Sequence, residues 1–260
     1  AKVGRMAGHN KWSKIKHRKA VVDKRRGKVW TKCARALMSA ARQGGADPSS
    51  NVTLRYAIDE ARYANMPKDT IERAIQKGVG DIDAESWEPV RYEGYGPGGV
   101  AVLVDALTNN RARTVTDLRL IFEKHGGNLG NAGCVGYLFE TRGRIAALQG
   151  ARSTDSMFEI AIESGADDVQ APEADDDTEP ADRVWTILTR PAEFQVVKDS
   201  LEKSGVAILD AGLAMIPGTT VEPGLEAATT LVRLIDALDD NDDVQKVHHN
   251  ALIPDEAMAD

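Results

Sequence analysis

The sequence predicts a multidomain α+β protein: an N-terminal helical bundle followed by two α/β domains of βαββαβ pattern, one inserted into the other. Three observations carry this reading. The chain has 260 residues, enough for two or three separate cores. Its apolar periodicity changes near Gly80, from the three- and four-residue steps of helices to alternating strands and helices. Its charge changes at the same place: residues 1–80 hold 19 Lys and Arg against 6 Asp and Glu, about +13, whereas the remaining 180 hold 14 against 34, about −20. The overall charge of −7 therefore hides a split in which one end attracts polyanions and the rest repels them.

Each element follows from local pattern. Met6 to Arg26 is polar, basic and poor in periodicity, and reads as an arm with a short helix at most. Lys28 to Gln43 is an amphipathic helix, with Trp30, Cys33, Leu37 and Ala40 or Ala41 on one face and Gly44-Gly45 as the stop. Asn51 caps a second helix through Leu54, Ala57, Ile58 and Ala61; Pro67 and Asp69 open a third through Ile71, Ala74 and Ile75. These make a three-helix bundle. Beyond it lie a buried strand at Gly99 to Ala106, a helix at Asn110 to Lys124 and a strand at Cys134 to Glu140. A new unit then reads as strand Arg144 to Leu148, helix Thr154 to Glu163, strand Asp168 to Gln170, strand Val184 to Thr189, helix Ala192 to Lys203 and a strand from Val206. Ala211 to Val221 is extended, and helix Leu225 to Leu238 and strand Val244 to His248 close the chain.

Residues 144–210 spell βαββαβ by themselves, and the flanks spell it again once they are removed, which is a ferredoxin-like pattern nested within another. The expected domains are 6–80 for the arm and bundle, 81–141 with 211–260 for a discontinuous α/β domain, and 142–210 for the inserted one. Pairing of the 99–106 and 244–248 strands would support the nesting. The acidic stretch Ala171 to Asp182 reads as a solvated loop with no site.

Composition narrows the function classes. At 42% hydrophobic and 28% charged residues, with no apolar run near the roughly 18 that a membrane helix needs, a membrane protein is not expected. No signal-peptide core precedes Lys11, so a cytoplasmic location is expected, and Ala1 to Arg5, just ahead of Met6, read as leader remnants or as the trace of an upstream start. Cys33 and Cys134 stand far apart and read as reduced, buried thiols.

The chemistry-bearing motif is the arm, His9-Asn10-Lys11-Trp12-Ser13-Lys14-Ile15-Lys16-His17-Arg18-Lys19, then Lys24-Arg25-Arg26-Gly27-Lys28, continuing to Lys32. A charge run is usually only a solvated face. This one is barely balanced by Asp23 and carries an aromatic, so polyanion binding is the better reading, since neutralised phosphates and released counterions dominate nucleic-acid affinity. Trp12 either stacks on a base or anchors the arm; the residues leave both open. Arg111 and Arg113 follow Asn110 in a helix's first turn, where positive charge is unfavourable without a nearby anion. A protein carboxylate and a nucleic-acid phosphate fit that place equally well.

Tyr92 to Gly99 has a glycine spacing like that of a dinucleotide loop, but it precedes a strand instead of following one, so it reads as a glycine-rich turn into the strand. Lys124 to Gly130 reads as a helix end with glycine beyond it. No hydrolase elbow, phosphate-binding loop or zinc motif occurs. His9 and His17 lie on the arm, and His248 and His249 point to opposite faces of a strand, so no metal site is expected. Asp239-Asp240 and Asp242-Asp243 read as a solvated turn. No catalysis, cofactor or small-molecule substrate is expected.

Several blocks together resemble the YebC/PmpR family, which includes mitochondrial translational activators of cytochrome c oxidase: Met6-Ala7-Gly8-His9-Asn10-Lys11-Trp12, Ile15-Lys16-His17-Arg18-Lys19, Ala64 to Ile75, Tyr92 to Gly99, Asn110-Arg111, Lys124 to Gly130, Met215-Ile216-Pro217 and Asp243 to Asn250. They span nearly the whole chain from Met6. Asn10 stands where members usually have Ser, and Trp30 where they usually have Phe. The resemblance implies three domains, no catalytic activity and a DNA-binding transcriptional regulator of the cytoplasm, with a ribosome-associated translation activator on ribosomal or transfer RNA as the alternative. The nucleic-acid-binding residues expected are His9, Lys11, Trp12, Lys14, Lys16, His17, Arg18, Lys19, Lys24, Arg25, Arg26, Lys28, Lys32, Arg111 and Arg113. No recognition helix paired with a second helix is evident, and a basic arm reads backbone and shape, which suits folded RNA at least as well as DNA.

Overall fold

The computed structural model describes residues 19–80, 87–172 and 182–258, with side chains described from Gly27 onward. It is a mixed α/β architecture that divides into two compact units, one made of the chain up to Phe139 together with the segment from Pro217, the other of Glu140–Ile216.

In the first unit, α1 (Lys19–Gly44), α2 (Val52–Tyr63) and α3 (Lys68–Gly80) form a bundle. α1 begins nine residues earlier than its apolar stripe predicts. Lys, Arg and Ala are strong helix formers even where no apolar face accompanies them, so part of the expected arm, Lys19 to Arg26, continues the helix. The other two helices start as expected. Asn51 Oδ1 accepts from the Leu54 amide at 3.0 Å, while Asn51 Nδ2 donates to the carbonyls of Ala40 and Gly45, at 2.8 and 2.9 Å, which ties the cap to the end of α1. Trp30 Nε1 donates to the Ala64 carbonyl at 3.0 Å, pinning α1 to the turn between α2 and α3.

The sheet of this unit has the order β3-β1-β2-β8, where β1 is Glu88–Gly96, β2 Val100–Thr108, β3 Asn128–Leu129 and β8 Val244–His249. β2 pairs with β8, Val102 opposite His249 and Leu103 opposite His248, so the 99–106 and 244–248 segments are neighbours. β1 corrects the expected glycine-rich turn: it is a full antiparallel partner of β2, and the turn is confined to Pro97–Gly99, where Gly98 and Gly99 take positive φ. Glycine depresses strand propensity, but here it marks close approach. A Cβ on Gly94 would lie 2.9 Å from the Phe122 ring, and one on Gly96 would lie 2.8 Å from Leu231. Phe122 belongs to α4 (Arg111–Lys124) and Leu231 to α7 (Leu225–Asp239), the two helices that pack with Val100, Val102 and Val104 in one core.

In the second unit, β4 (Phe139–Leu148), α5 (Thr154–Glu163), β5 (Asp168–Gln170), β6 (Val184–Thr189), α6 (Phe194–Lys203) and β7 (Ile208–Pro217) follow in turn, and the sheet order is β5-β6-β4-β7. Trp185 of β6 is fully buried, edge-on to Phe158 of α5 at 4.8 Å between ring centres. Two expectations change here. Cys134 to Leu138 is turn and one 3-10 turn, so the expected strand 134–140 is replaced by β4, which runs unbroken from Phe139 into the segment expected as a separate strand. The extended segment expected at 211–221 forms, as far as Pro217, part of this second sheet; β1 fills the place it was expected to take in the first. Of the acidic loop expected at 171–182, residues 173–181 lie outside those described.

Candidate nucleic-acid interface

Of the residues expected to bind nucleic acid, His9, Lys11, Trp12, Lys14, Lys16, His17 and Arg18 lie outside the described residues, and Lys19, Lys24, Arg25 and Arg26 are placed on the first turns of α1 by their backbone. Lys28 and Lys32 follow on the same helix. With Arg35 they stand at four- and three-residue steps, which puts them on one face.

That face meets the turn between α7 and β8. Lys32 Nζ donates to the Asp239 carbonyl at 2.6 Å, and Lys28 Nζ donates to the Asp240 carbonyl at 3.3 Å with its carboxylate at 3.4 Å. Arg35 donates to the Asp242 carbonyl at 2.5 Å, lies 3.7 Å from the Asp243 carboxylate and stacks over the Trp87 ring at 4.5 Å. The acidic turn expected to be solvated is instead a partner of the basic helix. Sequence reading missed this because the two segments lie more than 200 residues apart. The signal available in the sequence was a helix ending in acids with no basic residue in its last turn, an arrangement the helix dipole opposes.

Arg111 and Arg113 also have anions beside them, and both are protein carboxylates. Arg111 bonds Glu88 through Nε and Nη2, at 2.5 and 2.8 Å, and Arg113 Nη2 reaches Asp243 at 2.8 Å. Asp243 is a buried hub, since Thr114 Oγ1 lies 2.7 Å and Thr108 Oγ1 3.3 Å from the same carboxylate oxygen. Burial by itself would raise the Asp243 carboxyl, but hydrogen bonds from Arg113, Thr114 and Thr108 outweigh it and hold the group below the usual carboxylate range.

A second buried acid was also missed. Glu93 points out of β1 and accepts the backbone N–H groups of Gly133, Val135 and Gly136 at 2.8, 2.8 and 2.7 Å, fixing the loop that carries the exposed Tyr137. Burial opposes its charge, yet the three donors prevail and its pKa is lowered. On the same face of the sheet Asp105 takes Arg91 at 2.6 Å and His248 at 3.2 Å. Despite burial, bonds from His248 and Arg91 hold Asp105 down to about 2. His249 points to the other face and is buried, and burial lowers it to about 4. Cys33 is buried and its thiol is pushed up to about 12, chiefly by that burial; Cys134 is only half-buried, short of the expectation. Among the described residues no cluster of three or more His, Cys, Asp or Glu is placed to share a metal, and no helix is long and apolar enough to cross a membrane.

The fold and this surface define a class: a multidomain α+β protein whose basic helical bundle is joined by ion pairs to an acidic α/β body. Residues 10–81 match the model of the TACO1/YebC protein N-terminal domain, and residues 87–251 that of the TACO1/YebC second and third domain. The chain belongs to the TACO1/YebC family. A protein of Persephonella marina named "Probable transcriptional regulatory protein" is 51% identical, over 94% of this chain and 95% of its own length. One of Photorhabdus laumondii named "Probable transcriptional regulatory protein plu2109" is 49% identical over 98% of this chain and 99% of its own. The crystal structure of a conserved hypothetical protein, Aq1575, from Aquifex aeolicus is similar with a TM-score of 0.82 at 47% identity, covering 94% of this chain and 97% of that one.

Proposed function

We propose that this chain is a non-enzymatic regulator of transcription that binds DNA in the cytoplasm through its basic N-terminal segment. The observation that carries the reading is the charge split, about +13 over residues 1–80 against about −20 over the rest. Charge concentrated in this way gives strong, salt-dependent attraction to a phosphate backbone. The names of the bacterial relatives support a role in transcription. The contact residues are His9, Lys11, Trp12, Lys14, Lys16, His17, Arg18, Lys19, Lys24, Arg25 and Arg26, with Lys28 and Lys32 at the inner end. Arg111 and Arg113, each already bonded to a carboxylate, contribute at the edge. The sheet of the first unit carries this bundle, and Glu140–Ile216 is an inserted ferredoxin-like domain, a reading supported by its βαββαβ order and by a sheet in which the second, third, first and fourth strands are neighbours.

Crosslinking in cells followed by sequencing of both DNA and RNA tests the reading. Enrichment of a defined set of promoter fragments is the expected result. Recovery of ribosomal or transfer RNA with no enriched DNA would transfer the role to the ribosome, and recovery of neither would remove nucleic acid from the account.

A further inference from the structure

Two helices of the first unit each carry charge that opposes their own dipole. α7 ends in Asp236 and Asp239, is capped by Asp240, and runs on into Asp242 and Asp243, with no basic residue in its last turn. α1 has no acidic residue in its first turn and is basic from its start. Alone, both arrangements cost stability. At the end of α7 this cost is offset, because Lys28, Lys32 and Arg35, which stand well inside α1 and away from its first turn, lie across the carbonyls and carboxylates there.

The seam around these contacts is polar. The apolar cluster of the bundle and that of the sheet and its helices share no residue. Further links include Lys246 to Glu60 at 3.3 Å and Ser39 Oγ to the Trp87 carbonyl at 3.4 Å. Lys28 and Asp240 are each about half exposed, at 52% and 54%, so their pairing is worth little and is readily exchanged. Arg35 differs: it is 19% exposed, stacked on Trp87 and close to the buried Asp243.

We propose that the acidic turn 239–243 is an autoinhibitory latch, an internal substitute for the phosphate backbone that occupies Lys28 and Lys32 until nucleic acid displaces it, with Arg35 as the pivot. The proposal rests on the nucleic-acid reading above. A row of carbonyl and carboxylate oxygens presents the same acceptors and the same sign of charge as a phosphodiester strand. A long polyanion that has engaged the arm reaches Lys28 and Lys32 next along the helix, and releases counterions on doing so, which the turn does not. The latch therefore lowers apparent affinity by the fraction of molecules that are open, and selects against short or weak polyanions.

The test compares three full-length chains for binding of a short fluorescein-labelled DNA duplex at moderate salt. They are the wild type, Asp240→Lys with Asp242→Lys, which sets like charge against Lys28 and Lys32, and a control of equal charge, Glu222→Lys with Glu256→Lys, at exposed positions. Opening the latch is expected to tighten binding about fivefold, with the control within about twofold of wild type. Carboxyl footprinting supplies the second readout: in the wild type, saturating DNA should raise the labelling of the Asp240 carboxylate, which is paired with Lys28 in the latched turn. Equal affinity of the two variants, whether tightened or unchanged, or Asp240 labelling that DNA does not raise, would overturn the latch and leave the nucleic-acid reading standing. Absence of binding by all three chains at low salt would overturn that reading and the latch with it.

Discussion

The bundle and the sheet core of the first unit bury very different side chains. Five of the eleven buried apolar residues in the bundle are alanines, Ala40, Ala41, Ala57, Ala61 and Ala74, so the bundle removes little apolar area from water. Small residues do let its helices approach closely: a Cβ on Gly78 would lie 2.5 Å from the Met38 carbonyl oxygen. The sheet core is built from Val100, Val102, Val104, Leu118, Phe122, Leu231, Leu234, Ile235 and Leu238. The cationic bundle therefore has the smaller apolar core and leans more on specific hydrogen bonds and a polar seam, while the sheet and its helices bury the larger side chains.

The largest effect should come from the sheet core. Phe122→Ala removes the ring that lies against Gly94 and Gly127, where the backbone leaves room for it. A loss of about 4 kcal/mol in unfolding free energy is expected by denaturant titration. A loss below about 1 kcal/mol would show that this core is no more demanding than the bundle.

Acid should separate the two regions next. His249, in the sheet core, has its pKa lowered from the ordinary value to about 4, first by burial and then by His248. The unfolded chain therefore binds a proton near pH 6.5 that the folded chain refuses until about pH 4, so stability falls as pH is lowered through that window, on the order of 3 kcal/mol from this group. His248, also lowered by burial, acts in the same direction. Below this window the depressed carboxyls take over, because Asp105, held at about 2, loses its contribution as pH falls from about 4. The bundle has no histidine between Lys19 and Gly80 and should show no such slope. His249→Gln should flatten the pH profile of the sheet core; an unchanged profile would place the titration elsewhere.

A smaller effect tests the bundle. Asn51→Ala removes a cap and the two bonds from its amide to the end of α1, and should cost about 2 kcal/mol. By hydrogen exchange the loss should be confined to residues 27–80, and spread into the sheet core would mean that the two regions unfold as one.

Particular residues explain what was legible in the sequence. The three bundle helices announced themselves through apolar spacing and through Asn51 and Pro67. The start of α1 did not, since propensity without an apolar face leaves no periodic signal. β1 was hidden because Gly94 and Gly96 occupy its inward positions and Glu93 is a buried charge, so alternation read from hydrophobicity fails there. The expected strand at 134–140 failed for the complementary reason: Val135 and Leu138 look strand-like, but the backbone N–H groups of Gly133, Val135 and Gly136 are bound to Glu93. At the interface, unfavourable charge at the start of α4 correctly signalled an anion, but the identities of Glu88 and Asp243, 23 and 130 residues away, were not readable locally.

Charge reversal at the centre of the basic N-terminal segment tests whether that segment grips nucleic acid. Lys16→Glu with Arg18→Glu, measured by fluorescence anisotropy against a labelled DNA duplex, should abolish binding at physiological salt. Thermal unfolding should stay within about 0.5 kcal/mol of wild type, as for surface charge changes generally. Unchanged affinity in a folded variant would remove the segment from the mechanism.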